Sequence, residues 1–411
     1  MNPIKMIPQE MVEQMTQNKK IRTAITRESF SYFFHFYFSH YVKYETANFQ
    51  KNIISLIESN HKKDLFVVAF RGSGKSTIIT AAYPIWAILG KQQKKFIVIF
   101  CQTQAQAKQQ MMNLRRELED NEILKKDLGP FRENSDEWGS QSIVFSNSNA
   151  RITVASVDQS IRGIRHHENR PDLIICDDVE NIASTKTRDG RNKTYQWLKA
   201  EVIPAGDIDT RLIVIGNLLH EDSLLMRLKE EKDTGIIDGD YLYYPLLDKN
   251  NNCLWPGKYP TEMDINNEKK KVGNEISWQR EYLLNIIPDE DQIIYREWVK
   301  YYDDIPINQK TESGRYKPIY VCIGIDLAIS KKDTADYTAI VPIMIIGDLP
   351  DATLYVLPNI VNKRLNFPET IAVCKNMYKS YFNIADQQDI VFIIENVGYQ
   401  EALPQQLKDE G

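Results

Sequence analysis

The residues that most clearly carry chemistry are Ala69-Phe70-Arg71-Gly72-Ser73-Gly74-Lys75-Ser76-Thr77, which follow an apolar run at Leu65–Phe70 and precede a helical stretch at Ile78–Leu89. The phosphate-binding pattern G-x-x-x-x-G-K-[ST] occupies Ala69 to Ser76, with Ala in place of the first Gly. Gly72 and Gly74 free backbone N–H groups to turn toward phosphate, and the helix that follows presents its positive N-terminus to the same charge. Lys75 is placed to reach β- and γ-phosphates, Ser76 to ligate Mg²⁺, and Arg71, Ser73 and Thr77 to complete the loop around ATP. Such a site needs a second carboxylate at the end of another buried strand. Leu173-Ile174-Ile175-Cys176-Asp177-Asp178-Val179-Glu180 supplies it: Asp177 on the Mg²⁺ side, and Asp178 or Glu180 as the base that orients water.

Three further positions are weaker on residue type alone. Asn217, after the apolar run Leu212–Ile215, is either a sensor of the γ-phosphate or part of a Gly-Asn turn. Arg162 and Arg165 flank the flexible Gly163, and either could reach a neighbouring subunit as an arginine finger. Gln50, just ahead of the core, is either a reader of the adenine edge or a solvated helix residue.

A second pair of acids lies late in the chain. Asp326 ends Val321–Ile325 and Glu395 ends Ile390–Ile394, each after an apolar strand-like run. Two acids delivered by neighbouring strands suit a two-metal site, in which Mg²⁺ or Mn²⁺ ions about 4 Å apart activate water and stabilise the leaving oxygen.

The elements that must position these residues follow from periodicity. Aromatic residues recur at three- and four-residue spacing through Phe30–Tyr41, so residues 28–59 are predicted helical with a buried face. From residue 63, short apolar runs at Leu65–Phe70, Phe96–Cys101, Ile152–Ala155, Leu173–Cys176 and Leu212–Ile215 alternate with helical stretches. That alternation implies a parallel sheet covered on both faces. After residue 230 the alternation lapses into turn signals, with a helical segment around Ser277–Asn285. From Pro318, runs at Ile319–Asp326, Tyr337–Ile346 and Thr353–Ile360, a helix at Glu369–Tyr381 and a strand at Ile390–Glu395 follow the order of an RNase-H-like sheet.

The fold class is therefore α/β. A P-loop ATPase of RecA/ASCE-like type with a helical N-terminal segment is expected over 1–230, a linker subdomain over 231–314 and an RNase-H-like mixed-sheet domain over 315–411. A length of 411 residues suits two or three domains, and 42% hydrophobic content suits buried sheets. No segment approaches the roughly 18 apolar residues of a membrane span, and no N-terminal signal segment is visible. Five scattered cysteines without CxxC spacing imply reduced thiols and a reducing compartment. A net charge of −5 argues against a broadly basic nucleic-acid binder, so DNA contacts would use local patches such as Lys91, Lys94 and Lys95, or Lys269 to Lys271.

The ordered motifs resemble those of the large subunits of tailed-phage terminases. Phe70 to Thr77, with Arg71 leading the loop, is similar to their variant phosphate loop; Thr103-Gln104-Ala105-Gln106-Ala107, Ser160-Ile161-Arg162-Gly163, Asp177-Asp178-Val179-Glu180 and Ile215-Gly216-Asn217 resemble the motifs that follow it. Leu254-Trp255-Pro256-Gly257 and Trp278-Gln279-Arg280-Glu281-Tyr282 resemble the family's linker. The resemblance implies a ring, of five subunits, on the portal protein of an empty capsid, pumping double-stranded DNA with ATP and cutting concatemers with its own nuclease. It implies delivery of DNA by the small terminase subunit, residence in the host cytoplasm with transient docking at the portal vertex, and a monomer in isolation. It also makes Asn217 the coupling residue and Arg71 a catalytic or signalling arginine. Two other readings fit the P-loop alone: a helicase-like or DNA-repair ATPase, and an assembly module that uses ATP only to dock.

The RNase-H-like pattern requires a third acid beyond Glu395, and the sequence ends at Gly411 without it. The expected outcome is little or no cutting by this chain. Robust Mn²⁺-dependent cleavage of plasmid, abolished in Asp326→Ala, would overturn that expectation.

Overall fold

The computed structural model describes residues 13, 16–59, 63–131, 138–159, 161, 163–286, 299–305, 314, 318–327, 337–348, 352–381 and 390–394. The chain divides into two compact units, Met1–Ile293 and Ile294–Gly411.

The first unit is built on seven strands: β1 (Asp64–Ala69), β2 (Phe96–Cys101), β3 (Ser142–Phe145), β4 (Ala150–Ser156), β5 (Leu173–Asp177), β6 (Arg211–Gly216) and β7 (Gly239–Tyr244). Their order across the sheet is β3-β4-β2-β5-β6-β1-β7. Every neighbouring pair is parallel except β3 with β4. Five of these strands coincide with the apolar runs read from the sequence. Two do not. The edge strand β3 is only four residues long, and β7 reads Gly-Asp-Tyr-Leu-Tyr-Tyr, too polar to stand out in a region of turn signals.

Both faces of this sheet are covered, and the strand residues divide accordingly. Leu65, Val67 and Ala69 join one core with Ile97, Ile99, Ile175 and Ile213, while Phe66 and Val68 join the other with Phe100, Ile174 and Val214. Burial on both sides is why these strands read as continuous apolar runs rather than alternating ones. The first core is closed by the helices Phe30–Tyr37, Asn48–Glu58 and Gln104–Asp120. The second is closed by the helices Arg188–Trp197 and Leu224–Asp233. The predicted continuous helix over 28–59 is interrupted: Ser39–Tyr41 is a short 3₁₀ turn and the next helix starts at Asn48.

Residues 231–286 put substantial structure against this first core. After β7 come the helices Glu262–Val272 and Glu275–Glu281, and Leu246, Trp255, Tyr259, Trp278 and Tyr282 are buried with the residues under the phosphate loop. Trp278 is 2% exposed and its ring stacks on Tyr282 at 4.7 Å between centroids.

The second unit has the strands β8 (Ile319–Asp326), β9 (Thr338–Ile346), β10 (Thr353–Val356), β11 (Val361–Lys363) and β12 (Ile390–Ile394), with the helix Phe367–Tyr381 before the last. β10, β9 and β8 form an antiparallel meander, and β12 returns parallel to β8. A second, mixed sheet is present as expected from the sequence, with a short strand β11 against β9 that was not read there. Among the described residues no helix is long and apolar enough to cross a membrane, and all five cysteines are free.

Because Trp278 anchors the helix that borders the phosphate loop, Trp278→Ala should cost roughly 3–5 kcal/mol of stability, the usual range for a buried Trp. Urea unfolding followed by circular dichroism checks this; a loss below about 1 kcal/mol would show that the site collapses around the deletion.

Candidate nucleotide site

A parallel sheet delivers the C-terminal ends of its strands to one edge, where ligands bind in open α/β folds. Here β1 runs into the phosphate loop, β5 ends at Asp177 and β6 ends at Gly216 ahead of Asn217. One strand, β6, stands between the loop-bearing β1 and the acid-bearing β5. That spacing leaves a cavity of about 610 Å³, lined by Arg71–Thr77, Asp178, Glu180, Asn217 and Glu281 among others.

The loop turns through two positive-φ glycines, Gly72 at +74° and Gly74 at +86°. Neither position admits a side chain easily: a Cβ would lie 3.3 Å from the Lys258 ammonium at Gly72 and 3.1 Å from the Gln50 amide at Gly74. The chain then enters wide π-type turns over Thr77–Ala82 before the α-helix Tyr83–Leu89. The loop is also fastened from outside. Phe70 N–H donates to the Tyr244 carbonyl at 3.0 Å and Arg71 N–H to the Glu281 carbonyl at 2.8 Å. Gln50 Nε2 donates to the Ser73 carbonyl at 2.7 Å, and Lys258 Nζ to the Gly72 carbonyl at 3.1 Å.

Inside this frame Lys75 is 7% exposed. Its ammonium donates to the Ala69 carbonyl at 3.2 Å and to Asn217 Oδ1 at 2.9 Å. The Ser73 hydroxyl is buried in the same loop with no hydrogen-bond partner. A buried unpartnered donor beside a buried ammonium fits a phosphate, which would satisfy both. Ser76 Oγ donates to Asp177 Oδ1 at 3.1 Å and Thr80 Oγ1 to Asp177 Oδ2 at 2.7 Å. Burial raises the Asp177 carboxyl to about 6, the adjacent Asp178 adds to the rise, and the two hydroxyl bonds and Lys75 oppose it. A hydroxyl and a carboxylate converging as hard oxygen donors suit Mg²⁺.

The two candidate bases are placed differently. Asp178 is exposed, with φ +46°, a left-handed conformation that aspartate tolerates better than most residues, and its N–H donates to the Ile215 carbonyl at 3.0 Å. Glu180 is half-buried, and both its oxygens accept from Leu224 N–H, at 3.0 and 2.9 Å, at the start of the helix Leu224–Asp233. The helix N-terminus favours the anion, but burial outweighs it and raises the Glu180 carboxyl to about 7.

The structure thus brings Arg71 to Ser76, Asp177, Asp178, Glu180 and Asn217 to one edge of the sheet. Gln50 is neither solvated nor in the cavity. It is buried beneath the loop, its Oε1 accepting from Ala47 N–H at 2.9 Å. Arg165 is exposed and does not line the cavity, and Arg162 lies outside the described residues. Lys94 and Lys95, read as part of a basic patch, donate to the carbonyls of Asp172 and Ser148 and so serve the sheet. Three contributors went unnoticed in the sequence: Thr80, Lys258 and Glu281. Thr80 had a signal, since it lies four residues after Ser76 and so on the same helix face. In the second unit, Asp326 ends β8 and lines a shallow groove with Ala339 and Ile393. β12 pairs with β8 as far as Ile394 opposite Ile325; Glu395 lies outside the described residues. No group of three or more metal-type side chains occurs among the described residues.

The family model for the res subunit of type III restriction enzymes matches residues 39–202. The large terminase of HK97 bacteriophage is similar, with 17% identity and a TM-score of 0.43 over 88% of this chain and 72% of that one. The large terminase of a thermophilic bacteriophage in complex with ATP-gamma-S is 10% identical, with a TM-score of 0.37 over 89% and 80% of the two chains. A DEAD-box helicase bound to single-stranded RNA shares 16% identity at a TM-score of 0.35, covering 53% of this chain and 44% of its own. No curated sequence matches. The mostly parallel sheet and its loop are those of a P-loop ATPase fold.

The pH dependence of turnover tests Glu180 as the base. With its carboxyl raised to about 7, Glu180 is protonated below that pH and unable to take a proton. If Glu180 is the base, ATP turnover rises from pH 6 to 8 with a midpoint near 7; a flat profile would remove Glu180 from that role. Stability falls over the same rise in pH. The folded state holds this proton more tightly than the unfolded chain, so the burial cost appears as pH rises from the ordinary glutamate range and is complete above about 7. Glu180→Gln keeps an acceptor for Leu224 N–H, so at pH 8 its melting temperature should be unchanged or higher while turnover falls.

Proposed function

We propose that the first unit hydrolyses ATP and that the chain is the motor of a viral DNA-packaging machine of the large-terminase type. The observation that carries the first part is the convergence of Lys75, Ser76, Asp177 and Asn217 at one sheet edge, beside a loop whose Ser73 hydroxyl is buried without a partner. Lys75 and the loop N–H groups would hold the β- and γ-phosphates. Ser76 and Asp177 would hold Mg²⁺, which when bound neutralises phosphate charge. Glu180 or Asp178 would align water, and Asn217 would sense the γ-phosphate. Gln50 would support ATP through the loop backbone it fastens rather than through the base.

The motor reading is supported by the ordered motifs, above all Arg71 leading the loop and Asn217 closing β6, and by a second unit with the strand order β10-β9-β8-β12. On that reading Asp326 belongs to an RNase-H-like, metal-dependent nuclease centre using Mg²⁺ or Mn²⁺. Double-stranded DNA is the track, with the portal protein, the small terminase subunit and further copies of this chain in a ring as partners. The site of action is the portal vertex of the procapsid, in the host cytoplasm.

DNA-stimulated ATP turnover by the purified chain, with and without purified portal protein, tests this. Lys75→Ala should lower turnover by about 10²-fold or more, the scale of losing a charge-stabilising group in a water-excluded site. DNA and portal should raise the rate of the unaltered chain. Turnover unchanged in Lys75→Ala would instead favour an assembly module that uses ATP only to dock; turnover indifferent to both DNA and portal would remove the packaging reading.

A further inference from the structure

We propose that Glu281, at the end of the helix Glu275–Glu281, is a positioning residue of the ATP site that fixes which end of the Asn217 amide faces Lys75. This deepens the ATPase reading and rests on it.

Glu281 lines the phosphate cavity although it comes from outside the sheet. Its carboxylate Oε2 accepts from Asn217 Nδ2 at 2.5 Å, and Asn217 Oδ1 in turn accepts from Lys75 Nζ at 2.9 Å. A carboxylate ion only accepts and an ammonium only donates, so an amide between them satisfies both in one orientation and neither in the flipped one. Glu281 thereby sets the face that Asn217 shows to the catalytic end of the cavity. The same residue holds the loop arginine twice. Its backbone carbonyl accepts from Arg71 N–H at 2.8 Å, and its Oε2 lies 3.8 Å from Arg71 Nη1. The second contact is weak, because the Arg71 side chain is 71% exposed. The bond to Asn217 is therefore the working one. Position is imposed from the core: Trp278, three residues earlier, is buried, and Tyr282, the next residue, donates no freedom because its carbonyl accepts from Leu246 N–H at 2.8 Å.

The test uses the full chain with ATP and DNA, and measures kcat, KM and binding of a fluorescent ATP analogue for E281A, E281Q, N217A, the E281A/N217A pair and K75A. A mis-set sensor slows the chemical step more than it weakens binding, so E281A should lower kcat by roughly 10- to 100-fold with KM within about threefold. E281Q, which still offers an acceptor to Asn217, should recover part of the loss. The pair should be no slower than N217A alone, since both changes remove one interaction. Wild-type kcat in E281A, additive losses in the pair, or loss of analogue binding in both Glu281 variants would overturn the proposal. If K75A is inactive and E281A is normal, only the role of Glu281 falls; if K75A turns over normally, the ATPase reading falls with it.

Discussion

Lys75 carries a positive charge where almost no water reaches it; its ammonium donates to two neutral oxygens, the Ala69 carbonyl and the Asn217 amide, with the Asp177 carboxyl within electrostatic reach. A buried charge is costly unless it is paired, and two neutral acceptors offset that cost less well than an anion would. The loop is thus built around a cation that a phosphate would satisfy better than the protein does. The surrounding construction serves to keep that cation in place: two positive-φ glycines for the turn, carbonyls capped from outside by Gln50 and Lys258, and strand ends aligned by a parallel sheet.

The acids near the cavity are graded by what surrounds them. Asp177 is buried and held by two hydroxyls, which suits a cation ligand and leaves it no freedom to move a proton. Asp178, one residue on, points to the exposed side because the chain turns left-handed there. Glu180 is tied to a helix N-terminus, so its position is coupled to the helix Leu224–Asp233 rather than to the loop. Three carboxylates within four residues therefore acquire three environments from one strand end.

Much of this was legible in the sequence because strands buried on both faces leave an unmistakable signature. β2, buried at every position, matches the apolar run Phe96–Cys101 at both ends, and β8, buried at alternate positions, matches Ile319–Asp326. The phosphate loop, Asp177 and Asn217 could be assigned because each immediately follows such a run. What escaped has an equally physical reason. β7 lies at a sheet edge, where one partner suffices and polar residues are tolerated, so Gly-Asp-Tyr-Leu-Tyr-Tyr gave no apolar signal. Gln50 was judged by its helix, whereas its burial depends on the loop that folds over it from more than twenty positions away. Distance along the chain hid the part that Lys258 and Glu281 play at the site: Glu281 was read only within a linker segment, and nothing local shows that either docks on a loop some two hundred residues earlier.

Those late arrivals bear on how the unit works as a whole. The segment from Tyr244 to Tyr282 accepts from the Phe70 and Arg71 N–H groups through the Tyr244 and Glu281 carbonyls, donates to the Gly72 carbonyl through Lys258, and holds Asn217 through Glu281. A change of hydrogen bonding at Lys75 on phosphate binding would alter the partner of Asn217 Oδ1, and through the amide the load on Glu281. Glu281 shares its short helix with Trp278, which is packed in the same core as the strands beneath the loop. A close-packed core resists local deformation. On the ATPase reading proposed above, the nucleotide state would be felt at the helix Glu275–Glu281 through Asn217 and Glu281.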